Sequence, residues 1–349
     1  MDLSLFYFSN DAQLPAEDRY RLVLEGARFG DARGFTAVWT PERHFHRFGG
    51  IYPNPAVTSA ALASVTGRID IRAGSVVAPL HHVSRIADDW AAVDALAGGR
   101  VGLSLASGWH KGDFVLRPDA YQDRQRATVE YADRLRRLWR QARPSRGDLP
   151  MWFSTGGSPG TLKAAAHAGV GVLTHLANQS AAELAARIAE YRAMYAACGH
   201  RGRGHVVLML HTYLDEDLAA AEEQVRDPLE RYLMSALGLF HGDTTSQGRP
   251  RGEARARLAV RPAYERYVRQ GAGLFGSVDQ AVSTVRGYQE MGVDEIACLI
   301  DFGVPVRHVL RGLEYLDELR LRVAGLTTSS ARPANGYRGT GVLRTEEGH

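Results

Sequence analysis

An α/β fold built as a single (β/α)8 barrel is what the sequence predicts, and three observations predict it. Eight short apolar runs each lead into a segment of helical periodicity. The alternation spans most of a 349-residue chain with 45% hydrophobic and 23% charged residues, enough for one large core. No GxGxxG turn follows the first run, where a doubly wound nucleotide-binding sheet would carry one.

The elements follow in order. Leu3–Phe8 is the first strand-like run, and residues 17–33 place Tyr20, Val23, Leu24 and Ala27 on one helical face before Gly34 stops it. Phe35–Trp39 is the second strand, and 55–65 is helical. Ile69–Val77 is the third strand, and the helix at 84–97 ends in Gly98-Gly99. Val101–Ala106 is the fourth strand, with a helix over 121–139. The second half repeats the rhythm with strands at Met151–Ser154, Gly171–Thr174, Val206–Leu210 and Val293–Ile300. Its helices are expected at 160–168, 181–197, 278–290 and 306–321. Residues 1–322 therefore read as one domain, and 323–349, rich in Ser, Thr, Gly and Arg, as a flexible tail.

One stretch breaks the pattern. Residues 211–276 separate the seventh and eighth strands and are too long for an ordinary loop. They carry helical patterns at 216–237 and 253–269 around a polar segment at 242–252. In a barrel such an insertion stands over the C-terminal face, so a lid is expected; a surface excursion or a dimer contact is the alternative.

Charge excludes some classes. With 42 basic and 39 acidic residues the net charge is +3, without the basic runs of a nucleic-acid footprint. The basic side is nearly all arginine, Lys111 and Lys163 being the two lysines, so few Schiff-base candidates exist. Cys198 and Cys298 support neither a disulfide framework nor a thiolate metal cluster. The first residues lack the basic region of a signal peptide, and no apolar stretch nears 18 residues. A cytoplasmic protein is the expectation.

Active sites of such barrels collect at the strand C-termini, and the unusual residues fall there. After the second strand, Thr40–Pro55 carries Glu42, Arg43, His44 and His46 among aromatics. Alternating histidines on a loop are poor evidence for a metal, so no metal is assigned and His44 is taken as a catalytic candidate. The third strand ends Gly74-Ser75, where glycine permits a close backbone approach. It is followed by His81, a site candidate, and His82, a helix-capping candidate. The fourth ends Ser107-Gly108-Trp109-His110, able to hold the edge of a planar ring; the plainer reading is a tight turn with Trp109 capping the core. The fifth runs Ser154-Thr155-Gly156-Gly157-Ser158-Pro159-Gly160-Thr161 into a helix. That is an anion-site pattern, with simple capping by Ser158 as the alternative. The sixth strand ends in Thr174, with Asn178 and Gln179 after it. There is no GxSxG elbow and no obvious facing pair of carboxylates, so a phosphorylated planar cofactor fits better than hydrolytic machinery.

Three long motifs carry a resemblance: VWTPERHFHRFGGIYPNPAV, RAGSVVAPLHHVSRIADDW and GRVGLSLASGWHKGDF. In register, they resemble the bacterial luciferase-like flavin-dependent monooxygenase superfamily, and within it the MupA-like group of natural-product biosynthesis. The similarity covers about residues 2–320. It implies two-component chemistry: FMN, reduced by a separate flavin reductase, reacts with O2 through a C4a-hydroperoxide to hydroxylate or N-oxygenate a substrate. A carrier-protein-bound natural-product intermediate is the implied substrate. The alternatives are an F420-dependent oxidoreductase of the same fold, Baeyer–Villiger oxygenation of a free small molecule, or a non-catalytic flavin-binding protein. The flavin phosphate is expected near Ser154, Gly157, Ser158, Thr161 and Thr174. The ring is expected at Gly74 and Ser75, joined by a cis peptide bond, with Ser107 and Trp109 at its edge. Two departures stand out. The catalytic histidine of luciferases proper aligns with Arg43, and a basic residue near their flavin phosphate aligns with Ser107. Aldehyde bioluminescence is therefore not expected, and Arg43, His44 and His110, with Glu42, are left to share the proton chemistry. Arg43 is expected to anchor either Glu42 or an acidic substrate group. The resemblance also implies a homodimer.

Overall fold

The computed structural model describes residues 1–8, 18–46, 48–142, 144–145, 147–240 and 253–325. Eight parallel strands close into a cylinder: β1 (Asp2–Phe6), β2 (Ala37–Thr40), β3 (Asp70–Val77), β4 (Val101–Ala106), β5 (Met151–Thr155), β6 (Gly171–His175), β7 (Val206–Leu214) and β9 (Glu295–Leu299). Neighbours pair in chain order, β6 pairs β7, β7 pairs β9, and β9 returns to β1 with Leu3 opposite Ile296. A ninth short strand, β8 (Leu274–Gly276), extends the far end of β7 with Thr212 opposite Leu274.

Ten helices accompany the described strands: α1 (Arg21–Arg33), α2 (Pro55–Ala63), α3 (Val83–Ala97), α4 (Arg124–Gln141), α5 (Pro159–Ala168), α6 (Ala181–Ala197), α7 (Leu218–Phe240), α8 (Glu253–Arg269), α9 (Val278–Glu290) and α10 (Val306–Gly325). Local chemistry sets several ends. Asn54 accepts the Ala56 and Val57 amides ahead of α2, and Ser180 forms a capping box with Glu183 ahead of α6. None of the described helices is long and apolar enough to cross a membrane.

The barrel matches the predicted fold, with differences at the edges. Residues 211–214 belong to β7 and 274–276 form β8, so the insertion is shorter than 211–276. Its two helices are present as α7 and α8; residues 241–252, with the polar segment, lie outside the described residues. The last helix runs through Gly325 rather than ending at 321, because Leu319 and Val323 keep its apolar face buried. The remainder of the expected tail also lies outside the described residues.

The lower half of the barrel holds a charged core. Glu295 Oε2 meets Arg72 Nη1 at 2.8 Å, while its Oε1 accepts from the Ser4 hydroxyl at 2.6 Å and the Trp39 indole at 3.0 Å. The guanidinium lies between the Trp39 and Trp152 rings, 5.1 and 4.9 Å from their centroids. Burial opposes ionisation of Glu295, but Arg72 and the donated hydrogen bonds hold its pKa below the ordinary value. A carboxylate buried this completely requires those partners.

Removing one charge strands the other. Glu295→Gln is expected to lower the unfolding free energy by about 3 kcal/mol, read from urea titration of tryptophan fluorescence. A loss below about 1 kcal/mol, the scale of an exposed pair, would contradict a structural role for the ion pair.

Candidate active site

β2 delivers the chain into Pro41-Glu42-Arg43-His44 at the barrel mouth. The buried Glu42 carboxylate meets three partners. The Val77 amide donates to Oε2 at 2.7 Å, while Oε1 lies 2.7 Å from His44 Nε2 and 2.6 Å from His81 Nε2. Burial pushes the Glu42 pKa up, yet the two imidazoles and the amide outweigh it and hold it below the usual 4.5. For His81, burial opposes the charge and the Glu42 carboxylate overrides it, so its pKa is raised from 6.5.

Arg43 turns the other way. It is buried, and its Nη1 pairs with Asp113 Oδ2 at 2.8 Å. Its guanidinium carbon sits 4.6 Å from the Trp109 ring centroid and 5.8 Å from that of Phe8. Of the two anchors expected for Arg43, Glu42 is therefore not the partner; Asp113 takes the salt bridge because Glu42 is already saturated. Asp113 Oδ1 also accepts the His44 backbone amide at 3.2 Å and lies 3.7 Å from His110 Nδ1. Burial raises the Asp113 pKa, but His110, Arg43 and that amide bring it below 3.8. Arg43 Nε and His110 Nδ1 are buried without a hydrogen-bond partner among the described residues.

The neighbouring loops complete the mouth. Phe45 has φ of 52° and is 78% exposed, an uncommon pairing for an aromatic residue. The Gly74–Ser75 peptide is cis, as expected, and the β3–β4 register shifts there. A Cβ on Gly74 would lie 2.6 Å from the Phe6 ring, so glycine is needed for packing as well. The Ser75 and Ser104 hydroxyls meet at 3.0 Å. His82 occupies the N-cap of α3, but its ring meets the Ser84 hydroxyl and makes no side-chain cap bond, unlike the expectation. Ser107 ends half-buried beyond β4, and Arg124 of α4 donates to the Gly108 carbonyl at 3.0 Å, clamping that turn. Trp109 shields Arg43, which corrects its reading as a cap of the barrel core.

The β5 and β6 ends form a second set. The Thr155 hydroxyl accepts the Gly157 and Ser158 amides at 3.1 and 2.9 Å, and the Ser158 hydroxyl accepts the Thr161 amide at 3.5 Å. The amides expected to face an anion are thus bonded locally. Positive charge comes instead from Arg187 on α6. A Cβ at Gly157, where φ is +100°, would lie 2.4 Å from its Nη1. Arg187 donates to Gln179 Oε1 at 2.7 Å, and Gln179 donates to the Thr174 hydroxyl at 2.9 Å. Ser154 is half-buried one residue before Thr155.

Helices of the insertion contact the β2 loop and the ends of β6 and β7. Tyr232 of α7 lies 4.8 Å from Phe48 and 4.9 Å from His211, ring to ring, and Tyr267 of α8 lies 4.7 Å from His211. Burial and then His175 push His211 down to about 3, so it is neutral. Arg266 of α8 donates to the Leu176 and Gln179 carbonyls at the β6 end. Glu42, Arg43, His44 and His110 thus come together through Asp113. Gly157, Ser158, Thr161 and Thr174 gather separately around Thr155 and Gln179. Sequence reasoning missed Arg187, Asp113 and His211. Asp113 stood within a quoted motif, and its sign opposite to buried Arg43 was the available clue; Arg187 and His211 left no local signal.

Comparison with known proteins agrees with this architecture. Residues 1–295 match the family model described as luciferase-like monooxygenase. The oxygenase component of flavin-dependent trigonelline monooxygenase from Acinetobacter baylyi is 23% identical over 319 residues, 84% of this chain and 87% of that protein. The 4-hydroxyprotoasukamycin monooxygenase of Streptomyces nodosus subsp. asukaensis is 27% identical over 300 residues, 76% of each chain. Among solved structures, monooxygenase RslO1 from Streptomyces bottropensis shares the fold at a TM-score of 0.79 and 21% identity, covering 93% of this chain and all of that one. The oxygenating constituent of 3,6-diketocamphane monooxygenase from Pseudomonas putida, in complex with FMN, gives 0.74 at 15% identity, with 93% and 98% covered. An F420-dependent secondary alcohol dehydrogenase also shares the fold, at 0.69 and 17% identity, with 91% and 97% covered.

The Glu42–His81 pair has a defined pH window. A raised His81 pKa stabilises the fold below 6.5 and is lost as pH rises through the folded value; a lowered Glu42 pKa stabilises above 4.5 and is lost as pH falls through its own. Amide exchange protection at Val77 is therefore expected to be greatest between those limits and to decline above the folded His81 pKa. Protection that keeps increasing through that value, after correction for intrinsic exchange, would contradict the pair.

Proposed function

Because the chain belongs to the luciferase-like monooxygenase family and is a flavin-dependent monooxygenase of that fold, we propose that it is the oxygenase component of a two-component system. It takes FMNH2 from a separate flavin reductase and uses O2 as co-substrate. The observation that carries the reading is the pair of unsatisfied buried atoms at the mouth, Arg43 Nε and His110 Nδ1, beside the Glu42–His44 pair. A buried polar atom without a partner costs about 1–3 kcal/mol, which a polar ligand would recover.

The residues fit a phosphorylated planar group. Arg187 supplies a cation beside Gly157, where there is no room for a side chain, and Ser154, Ser158, Thr161 and Thr174, at the ends of β5 and β6 and the start of α5, would supply hydroxyls to a phosphate. Gly74, Ser75, Ser107 and Trp109 would hold the ring. When bound, reduced flavin supplies the activation of O2 and the transfer of one oxygen atom to substrate. The protein supplies the rest. His44 handles the proton, fixed by Glu42 through its ring and by Asp113 through its backbone. Arg43 and His110 offer hydrogen bonds to the reacting group. α7 and α8 exclude water as a lid, held to the β2 loop through Phe48–Tyr232 and to the β6 end through Arg266.

The substrate we put forward is a natural-product intermediate, tethered to a carrier protein and oxygenated at carbon or nitrogen. The MupA-like resemblance supports this, and the similarity to the 4-hydroxyprotoasukamycin monooxygenase of Streptomyces nodosus subsp. asukaensis is consistent with an elaborate organic substrate. A homodimer belongs to the same reading.

Two measurements test it. Anaerobic protein loaded with FMNH2 and mixed with O2 is expected to reoxidise flavin several times more slowly than buffer alone; reoxidation at the protein-free rate, with binding of reduced F420 instead, would overturn the assignment. Arg187→Ala is expected to weaken FMN affinity about 10- to 100-fold, the loss of one charge-assisted contact worth about 1.5–3 kcal/mol, measured by fluorescence titration. Unchanged affinity would remove the phosphate from that corner.

A further inference from the structure

The two imidazoles that meet Glu42 do so at one atom. His44 Nε2 is 2.7 Å and His81 Nε2 2.6 Å from the same oxygen, Oε1, while Oε2 accepts the Val77 amide. An ionised carboxylate only accepts hydrogen bonds, and an imidazole nitrogen without hydrogen only accepts as well. A bare Nε2 at either distance would set lone pair against lone pair. Both histidines must therefore carry hydrogen on Nε2, and the neutral form of either has its lone pair on Nδ1. For His44, Nδ1 has no hydrogen-bond partner among the described residues, and the side chain is 10% exposed while that of Glu42 is fully buried. One ring nitrogen is thus committed to the fold and the other is open to a ligand.

The position is braced from three elements. β3 contributes the Val77 amide to Glu42. Asp113, beyond β4, holds the His44 backbone through its amide at 3.2 Å. His81, ahead of α3, is itself held: Arg117 and Tyr131 donate to its carbonyl at 3.0 and 3.1 Å. Asp89 of α3 and Arg117 are the further charges that bear on the His81 ring.

We propose that Glu42 is a positioning residue that locks His44 in the Nε2–H tautomer, so that Nδ1 is the atom through which His44 takes or gives a proton. His81 is the second donor that keeps the carboxylate in place. The proposal rests on reading His44 as the proton-handling group. It fixes which nitrogen acts and what selects it, in the way a carboxylate behind a histidine sets the tautomer of a catalytic imidazole.

The test is independent of oxygenase activity. Protein labelled with 15N-histidine, without flavin, is examined by long-range 1H–15N correlation between about pH 6 and 9, where a histidine of ordinary pKa passes to its neutral form. Assignment of the His44 signals comes from His44→Gln. The expected spectrum shows hydrogen on Nε2 of both His44 and His81, and a bare Nδ1 on neutral His44. In Glu42→Leu, which has similar bulk and no acceptor, His44 is expected to show a tautomer mixture. Turnover is expected to fall on the order of 100-fold, the lower end of what a general acid–base group contributes. Hydrogen on Nδ1 of neutral wild-type His44, or a ring that remains doubly protonated to pH 9, would overturn the proposal. The wild-type spectrum decides this even if the leucine variant fails to fold. The outcome is also separable from the flavin reading, because FMNH2 reoxidation is measured on its own.

Discussion

A carboxylate that cannot reach water has to be met by donors, and Glu42 organises the barrel mouth around that requirement. Its three partners come from the β2 loop itself, from the end of β3 and from the turn before α3. Those segments would otherwise be independent surface loops. Satisfying one buried charge sets where the β2 loop crosses β3, and so where His44 and Arg43 lie. The adjoining Arg43–Asp113 pair, also buried, extends the constraint to the loop after β4. Three consecutive strand ends are thereby fixed by ionic hydrogen bonds rather than by apolar packing, which tolerates more sliding.

The two charged cores of the barrel are built on different terms. At the bottom, Glu295 and Arg72 are enclosed by Ser4, Trp39, Trp152 and Asp70, and the carboxylate has donors on both oxygens. At the top, the same chemistry leaves Arg43 Nε and His110 Nδ1 without hydrogen-bond partners among the described residues, Asp113 Oδ1 lying 3.7 Å from the latter. A satisfied network contributes to stability; an unsatisfied one costs stability and is a place for a ligand. The contrast follows the division of labour in these barrels, with chemistry at the strand C-termini and stability below.

How much of this was legible in the sequence depends on range. The strands were readable because both their faces are buried, as in β2 and β9, which leaves continuous apolar runs. β8 was not, since three residues carry no periodicity and its pairing with β7 exists only in three dimensions. The Glu42–His44 contact spans two residues and lay inside one conspicuous motif. Asp113, the partner of Arg43, lies 70 residues away, and Glu295, the buried partner of Arg72, lies 223 residues away, so no short-range spacing marks either pair. The phosphate corner was half legible. Its Ser, Thr and Gly pattern stood out, but that pattern bonds to itself through Thr155, and the cation arrives from Arg187 on another helix.

The resemblance sets Arg43 where luciferases proper carry their histidine, and the geometry gives that placement a physical sense. A guanidinium is always charged and cannot exchange a proton near neutral pH, so a buried arginine there needs a permanent counter-ion. Asp113 is that counter-ion, and its second oxygen takes the His44 amide. An arginine at this position does not transfer protons near neutral pH, and through Asp113 it helps hold the next residue in place. In the function proposed above, the proton chemistry of this loop is assigned to His44, whose ring meets one carboxylate and whose backbone amide meets another. Arg43 becomes a fixed positive charge beneath Trp109, with its buried Nε–H open to whatever enters the mouth.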